Sequence, residues 1–241
     1  MTETPKVGWG AAVQGNPSDI AHWDAALKKP FDPWVESHDK KTLLRSAVLD
    51  ELQSATEVRD QAVALIDRLN GAMALRHDAG PLRFNGVTQF MSDGTRHQTI
   101  FPEGVEATGQ VGNLTATVTG PDSQPVPPRP PTPSDVQVWA ALAEADDFLD
   151  DALIYFGTAT EWFDIYKTLE TLILRFGPGE EVFLSRNWAP KKEIELLKRT
   201  ANWARHAKRK FEPPANPMPM ADARRLLGQL LRRALSHPAA A

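Results

Sequence analysis

Residues 120–133 read Gly-Pro-Asp-Ser-Gln-Pro-Val-Pro-Pro-Arg-Pro-Pro-Thr-Pro, seven prolines in fourteen positions. Proline fixes φ and has no amide hydrogen, so this stretch can be neither a helix nor a central strand. It is expected to be an extended polyproline II connector. It separates an N-terminal region, residues 1–119, from a C-terminal region, residues 134–241, each long enough to bury a core of its own.

The N-terminal region mixes patterns. Lys6–Gln14 reads as a strand ended by the Gly15-Asn16-Pro17 turn, and Ser18 is placed to cap a short helix through Leu27. Residues 30–41 carry Pro30, Pro33 and many charges and read as irregular. One long helix is expected from Ser46 or Asp50 to about Leu75, because Val48, Leu52, Val58, Ala62, Leu65, Leu69 and Ala72 form an apolar stripe. Asn70-Gly71 is expected to fray its end. Strands follow at Leu82–Phe90, Arg96–Phe101 and Val111–Thr119, the first two joined by a Ser92-Asp93-Gly94 hairpin turn.

After the linker the pattern is helical. Helices are expected from Ser134 to about Phe156, from Thr160 to about Arg175, from Pro190 to before Pro213, and from Met220 to Leu235. Short loops join them, as in a bundle. The expected fold class is α+β: an N-terminal long helix with a small antiparallel sheet, a proline-rich linker, and a C-terminal four-helix bundle.

Composition narrows the function. Apolar residues make up 41% and charged residues 24%, both ordinary for a globular chain. The absence of cysteine removes disulfides, thiolate metal sites and a cysteine nucleophile together. The six histidines include no pair at i,i+3 or i,i+4, so neither a metal site nor a cofactor is expected. No apolar run approaches the ~18 residues of a membrane span, and none follows Met1. The expectation is a cytoplasmic protein with no membrane partner.

Charge is segregated. Residues 186–233 hold 13 Lys/Arg against 4 Asp/Glu, while the rest holds 14 against 27. Such a basic segment either forms a phosphate-binding face or pairs with acidic residues of its own chain. Glu144, Asp146, Asp147, Asp150 and Asp151 have no basic neighbour in sequence, which favours internal pairing.

The helix after Pro190 carries the best chemical signal. At about 100° per residue, Ile194, Leu197, Ala201 and Ala204 cluster as a core stripe. Arg199, Asn202 and His206 share the opposite face, flanked by Arg209, while Leu196, Trp203 and Ala207 make a second apolar strip. Histidine titrates near neutrality and can move a proton, and arginine offers planar paired donors to phosphate.

Arg199 and His206, with six residues between them, resemble the R-x4-6-H signature of the HEPN superfamily, and Asn202-x3-His206 resembles the end of its R-N-x3-H form. The match departs from that form at Ala201, where the family has arginine. The resemblance covers at most residues 134–236 and implies a four-helix bundle. Many members are metal-independent endoribonucleases that act as dimers, of toxin or defence type; others bind RNA or nucleotides. It implies catalytic roles for Arg199, Asn202 and His206; beside them Arg205, Arg209 and Lys167 are expected as substrate-binding residues, with Tyr166 and Lys167 either structural or lining the cleft at His206. The implied partners are RNA or a nucleotide, and a second copy of the chain. The competing expectation is a non-catalytic interaction protein that uses the Trp203 strip and the basic C-terminal helices.

Two further patterns are weaker. Asp146-Asp147-Phe148-Leu149-Asp150 spells DDxxD, a Mg2+–diphosphate motif. An acidic face that meets basic helices explains it better. Trp9, Trp23 and Trp34 are expected to anchor the N-terminal region, since nothing basic interleaves with them in sequence as base stacking would require.

Overall fold

Residues 5–38, 41–101, 130–177, 179–206 and 210–237 are described by the computed structural model. The chain is a mixed α+β protein and divides into two units, Met1–Ala62 with Leu82–Ser134, and Val63–Pro81 with Asp135–Ala241. Residues 63–81, expected in the N-terminal region, thus count with the C-terminal unit. The strand expected at 111–119 and linker residues 120–129 lie outside the described residues.

In the first unit β1 (Lys6–Gln14) is the middle strand of a five-stranded antiparallel sheet of order β2-β3-β1-β4-β5. The others are β2 (Trp34–His38), β3 (Lys41–Arg45), β4 (Arg83–Met91) and β5 (Arg96–Thr99). Ala11 pairs with Leu44 on one side and Val87 on the other, and this face is buried together with Trp9. Trp23 of α1 (Pro17–Ala26) is fully buried. Asn16, not Ser18, caps α1, accepting from the Ser18 amide at 3.1 Å. The stretch read as irregular contains β2 and the start of β3. Its prolines confine themselves to the loop before Trp34, and Val35 alternates inward.

The long helix expected from Ser46 is two helices, α2 (Ala47–Glu51) and α3 (Ala55–His77). A capping box makes the break: Ser54 N–H donates to Glu57 Oε2 at 3.0 Å, and Glu57 N–H donates to Ser54 Oγ at 3.2 Å. The Leu52 carbonyl freed there accepts from Trp9 Nε1 at 2.9 Å and Lys6 Nζ at 2.6 Å. The Ser54-x-x-Glu57 signature stands in the sequence, hidden beneath an apolar stripe that runs through it.

The second unit contains the rest of α3 with α4 (Asp135–Glu144), α5 (Asp147–Thr158), α6 (Trp162–Arg175), α7 (Glu180–Leu184), α8 (Lys191–Arg205) and α9 (Met220–Leu235). This is helical as expected but is not the four-helix layout. Asp146 splits the first expected helix: its Oδ1 caps α5 at the Leu149 amide, 3.2 Å away, and its Oδ2 accepts from Arg175 Nε at 2.7 Å. Two of the three DDxxD carboxylates thus have structural roles, Asp146 as cap and ion-pair partner and Asp150 bound to Arg68 Nε at 2.6 Å. Helix α6 touches α5, α8 and α9, and Ile165, Leu169 and Leu172 on it are buried. Gly71 does not fray α3. It sits where α3 and α5 meet backbone to backbone, opposite Gly157.

The expected pairing of the acidic stretch with the basic C-terminal segment is not what the ion pairs show: Asp146 takes Arg175 of α6 and Asp150 takes Arg68 of α3, both outside that segment. Several arginines instead close helix ends, where backbone carbonyls lack partners. Arg224 donates to the Phe156 and Ala159 carbonyls at the end of α5, both at 3.0 Å. Arg175 donates to the Ala234 and His237 carbonyls at the end of α9, at 3.2 and 3.1 Å. Arg232 donates to the Leu75 carbonyl near the end of α3.

Candidate functional site

Helix α8 buries Ile194, Leu197 and Ala201 as its periodicity requires. It ends at Arg205. His206 leaves it with φ −101° and ψ 160°, and Ala204 is exposed rather than core. Of the face expected to join Arg199, Asn202 and His206, Arg199 and Asn202 line one cleft, while His206 is the residue at which the helix ends. Arg199 is exposed and opens on a cleft of about 640 Å3 that Leu184, Lys191 and Asn202 also line. Lys198 and Glu180 pair with each other in that cleft. The His206 ring packs instead on Phe211, with centroids 5.0 Å apart. Arg209 lies outside the described residues.

The fold brings together a different subset. The Arg205 guanidinium lies 3.6 Å from the centroid of the Tyr166 ring. Its Nε and Nη2 donate to Asn202 Oδ1 at 3.2 and 2.9 Å, one helical turn back. Lys167, beside Tyr166 on α6, donates to Glu170 Oε2 at 2.7 Å. That bond holds the Lys167 ammonium above its usual range, with Tyr155 adding and Arg205 opposing. Burial, then Asp150 and Asp147, pushes the Asp151 carboxyl up, while Lys167 pulls it down. So Lys167, Asn202 and Arg205 converge with both tyrosines of the chain on one groove of α5, α6 and α8. Tyr166 backs Arg205 rather than His206. Tyr155 escaped the sequence reading, because no spacing on α5 links it to residues 12 and 50 positions downstream.

This groove offers a point cation, a planar guanidinium held against a ring, and two phenols. That suits recognition of an anion attached to an aromatic group. It lacks a nucleophile beside a base. His206 supplies the one imidazole nearby, and desolvation, then the charges of Lys210 and Arg205, hold it below the usual histidine range. It is thus neutral at neutral pH and able to accept a proton. An NMR titration should place His206 below 6.5. Arg205→Ala should raise it, since removing a neighbouring positive charge favours the imidazolium.

Among the described residues no cluster of three His, Asp or Glu could hold a metal ion, and no helix is long and apolar enough to cross a membrane. What fold and site define is a class: an α+β protein whose helical unit carries a cationic, tyrosine-backed groove. No protein-family model matches the chain, and no curated protein or solved structure matches it.

Proposed function

We propose that the helical unit binds RNA through the α6–α8 groove, in the manner of a HEPN-like module. The observation that carries this reading is the placing of Lys167 and Arg205 side by side, with Arg205 braced on Tyr166 and Asn202. A guanidinium held on a ring beside a second cation suits a phosphate and the base next to it. Arg199, exposed and without an ion-pair partner among the described residues, extends the cationic surface along α8. The reading places the protein in the cytoplasm and pairs two copies, so that Arg199 of one chain meets His206 of the other. Cleavage depends on that pairing, since Arg199 and His206 have different surroundings within one chain. Binding does not.

The test is RNA binding and cleavage in EDTA, with oligomeric mass measured on the same samples. Lys167→Ala with Arg205→Ala should weaken binding and lower the salt slope, by about 0.7 for each phosphate that is no longer neutralised. His206→Ala should leave binding intact and abolish any cleavage. Wild-type affinity and salt slope in the double variant would remove the groove from the reading.

Trp203 favours a second reading, a non-catalytic interaction protein. It is 41% exposed on α8, and Phe211 beyond the helix end is 39% exposed. Trp203→Glu would then abolish a dimer or partner complex while RNA binding is unchanged.

A further inference from the structure

One face of the first unit's sheet carries a feature that the sequence does not display. Opposed residues in an antiparallel sheet share a face. The pairs Trp34–Arg45, Glu36–Leu43, His38–Lys41, Gly8–Phe90, Gly10–Thr88, Phe90–Arg96 and Thr88–Gln98 therefore place all these residues on one side. Trp9, Ala11, Leu44 and Val87 occupy the other side and form the core. Leu43 and Thr88 on this first side are buried, and Gly8 and Gly10 floor it in the middle strand. A Cβ at Gly10 would come within 3.1 Å of Arg45 Cδ and 3.2 Å of the Phe90 ring. The glycines thus let both side chains lie low across the sheet.

Cations and rings alternate along that surface. Lys29 Nζ lies 5.1 Å from the Trp34 ring, and Arg45 lies 5.6 Å from Trp34 and 4.5 Å from Phe90. Arg96 lies 5.9 Å from Phe90, and His38 stacks on Phe90 at 5.8 Å. Trp34, His38 and Phe90 remain half-exposed, and Lys41 and Arg96 exposed. Lys29 and Arg45 pair with Glu36, Arg45 also with Asp50, and Lys41 donates to Gln98 Oε1 at 2.9 Å. The interleaving of basic with aromatic residues, absent along the chain, is thus made across strands.

We propose that this face is a binding platform for single-stranded nucleic acid, with bases stacking on Phe90, His38 and Trp34 and phosphates meeting Lys41 and Arg96. A single strand is the occupant because its bases are free to stack and its backbone is a continuous anion. A duplex hides the first property. The platform rests on its own residues and stands whether or not the α6–α8 groove binds RNA.

The test uses the full chain with a fluorescent oligouridylate and a photo-crosslinkable version of it, with crosslinked peptides mapped. Phe90→Leu keeps apolar bulk and removes the ring; it should weaken binding about ten-fold. Lys41→Ala and Arg96→Ala, both on exposed positions, should lower the salt slope by about 0.7 each, and Lys41→Ala should do so without changing thermal stability. Crosslinks should fall within residues 34–45 and 83–99. Crosslinks confined to α6 and α8, with Phe90→Leu binding as wild type does, overturn the platform and leave the groove reading intact. Crosslinks on the sheet alone, with the Lys167 and Arg205 variants unaffected, support the platform and remove the groove reading. A folded wild type that binds neither oligouridylate nor its deoxy counterpart overturns the platform outright.

Discussion

Replacing Gly71 by alanine is expected to destabilise the protein by about 3 kcal/mol, although alanine is by itself the better helix former by about 1 kcal/mol. The sign is set by what the new methyl group meets. A Cβ at Gly71 would fall on the carbonyl oxygen of Leu153 and lie 2.9 Å from its Cα. Opposite it, a Cβ at Gly157 would lie 2.8 Å from the Gly71 nitrogen and 2.9 Å from its Cα. These obstacles are backbone, which cannot rotate aside as a side chain can. Overpacking against yielding side chains costs ~1–3 kcal/mol, and here α3 and α5 must separate instead. Gly228→Ala is the control. Its Cβ would sit 3.5 Å from Leu75 Cδ1 and Phe156 Cζ, an ordinary van der Waals separation, so helix propensity decides. Urea unfolding should show Gly71→Ala strongly destabilised and Gly228→Ala as stable as wild type or up to about 1 kcal/mol more so. If Gly71→Ala matches the control, α3 and α5 do not cross there.

Arg175→Met should cost about 3–5 kcal/mol, the range found when one partner of a buried ion pair is removed. The Arg175 side chain is 3% exposed and that of Asp146 is 13% exposed, so neither can turn to water when the other is removed. The same guanidinium serves the end of α9 through the Ala234 and His237 carbonyls. One substitution thus strands a carboxylate and releases two carbonyls. Asp146→Asn should cost less, because an amide oxygen still caps α5 at Leu149. The double-mutant cycle should return a coupling of about 1–3 kcal/mol. Additivity of the two variants would show that the pair is not a unit.

Both predictions concern residues whose roles are not visible in the chain. Gly71 reads as a helix breaker because glycine is a poor helix former, and that property is local. Its actual use is a close approach by Gly157, 86 positions away. Asp146 reads as part of an acidic run, or of a metal motif, because its neighbours are acidic. Its partner Arg175 comes from the next helix but one in sequence order, and nothing in local spacing selects it.

The candidate site divides in the same way. The core stripe of α8 follows from period alone, and Ile194, Leu197 and Ala201 are buried accordingly. The functional face does not follow, because its extent depends on where the helix stops. Arg205 is the last residue of the helix, His206 follows it in extended backbone, and Arg199 and Asn202 line the α7–α8 cleft. Lys167 and Arg205 meet through the packing of α6 on α8, which no single-helix wheel contains.

The strands β1, β4 and β5, their Asp93-Gly94 turn, and helices α6 and α9 were determined by the sequence itself. In each, apolar period and turn chemistry agree, and both act between residues a few positions apart. The order β2-β3-β1-β4-β5, the Gly71–Gly157 crossing, the arginines that close distant helix ends, and the cation–aromatic ladder on the sheet were decided only by tertiary structure. Those features pair residues tens of positions apart. Their energies come from desolvated interactions that exist only once the chain has closed on itself, so the linear pattern holds no trace of them.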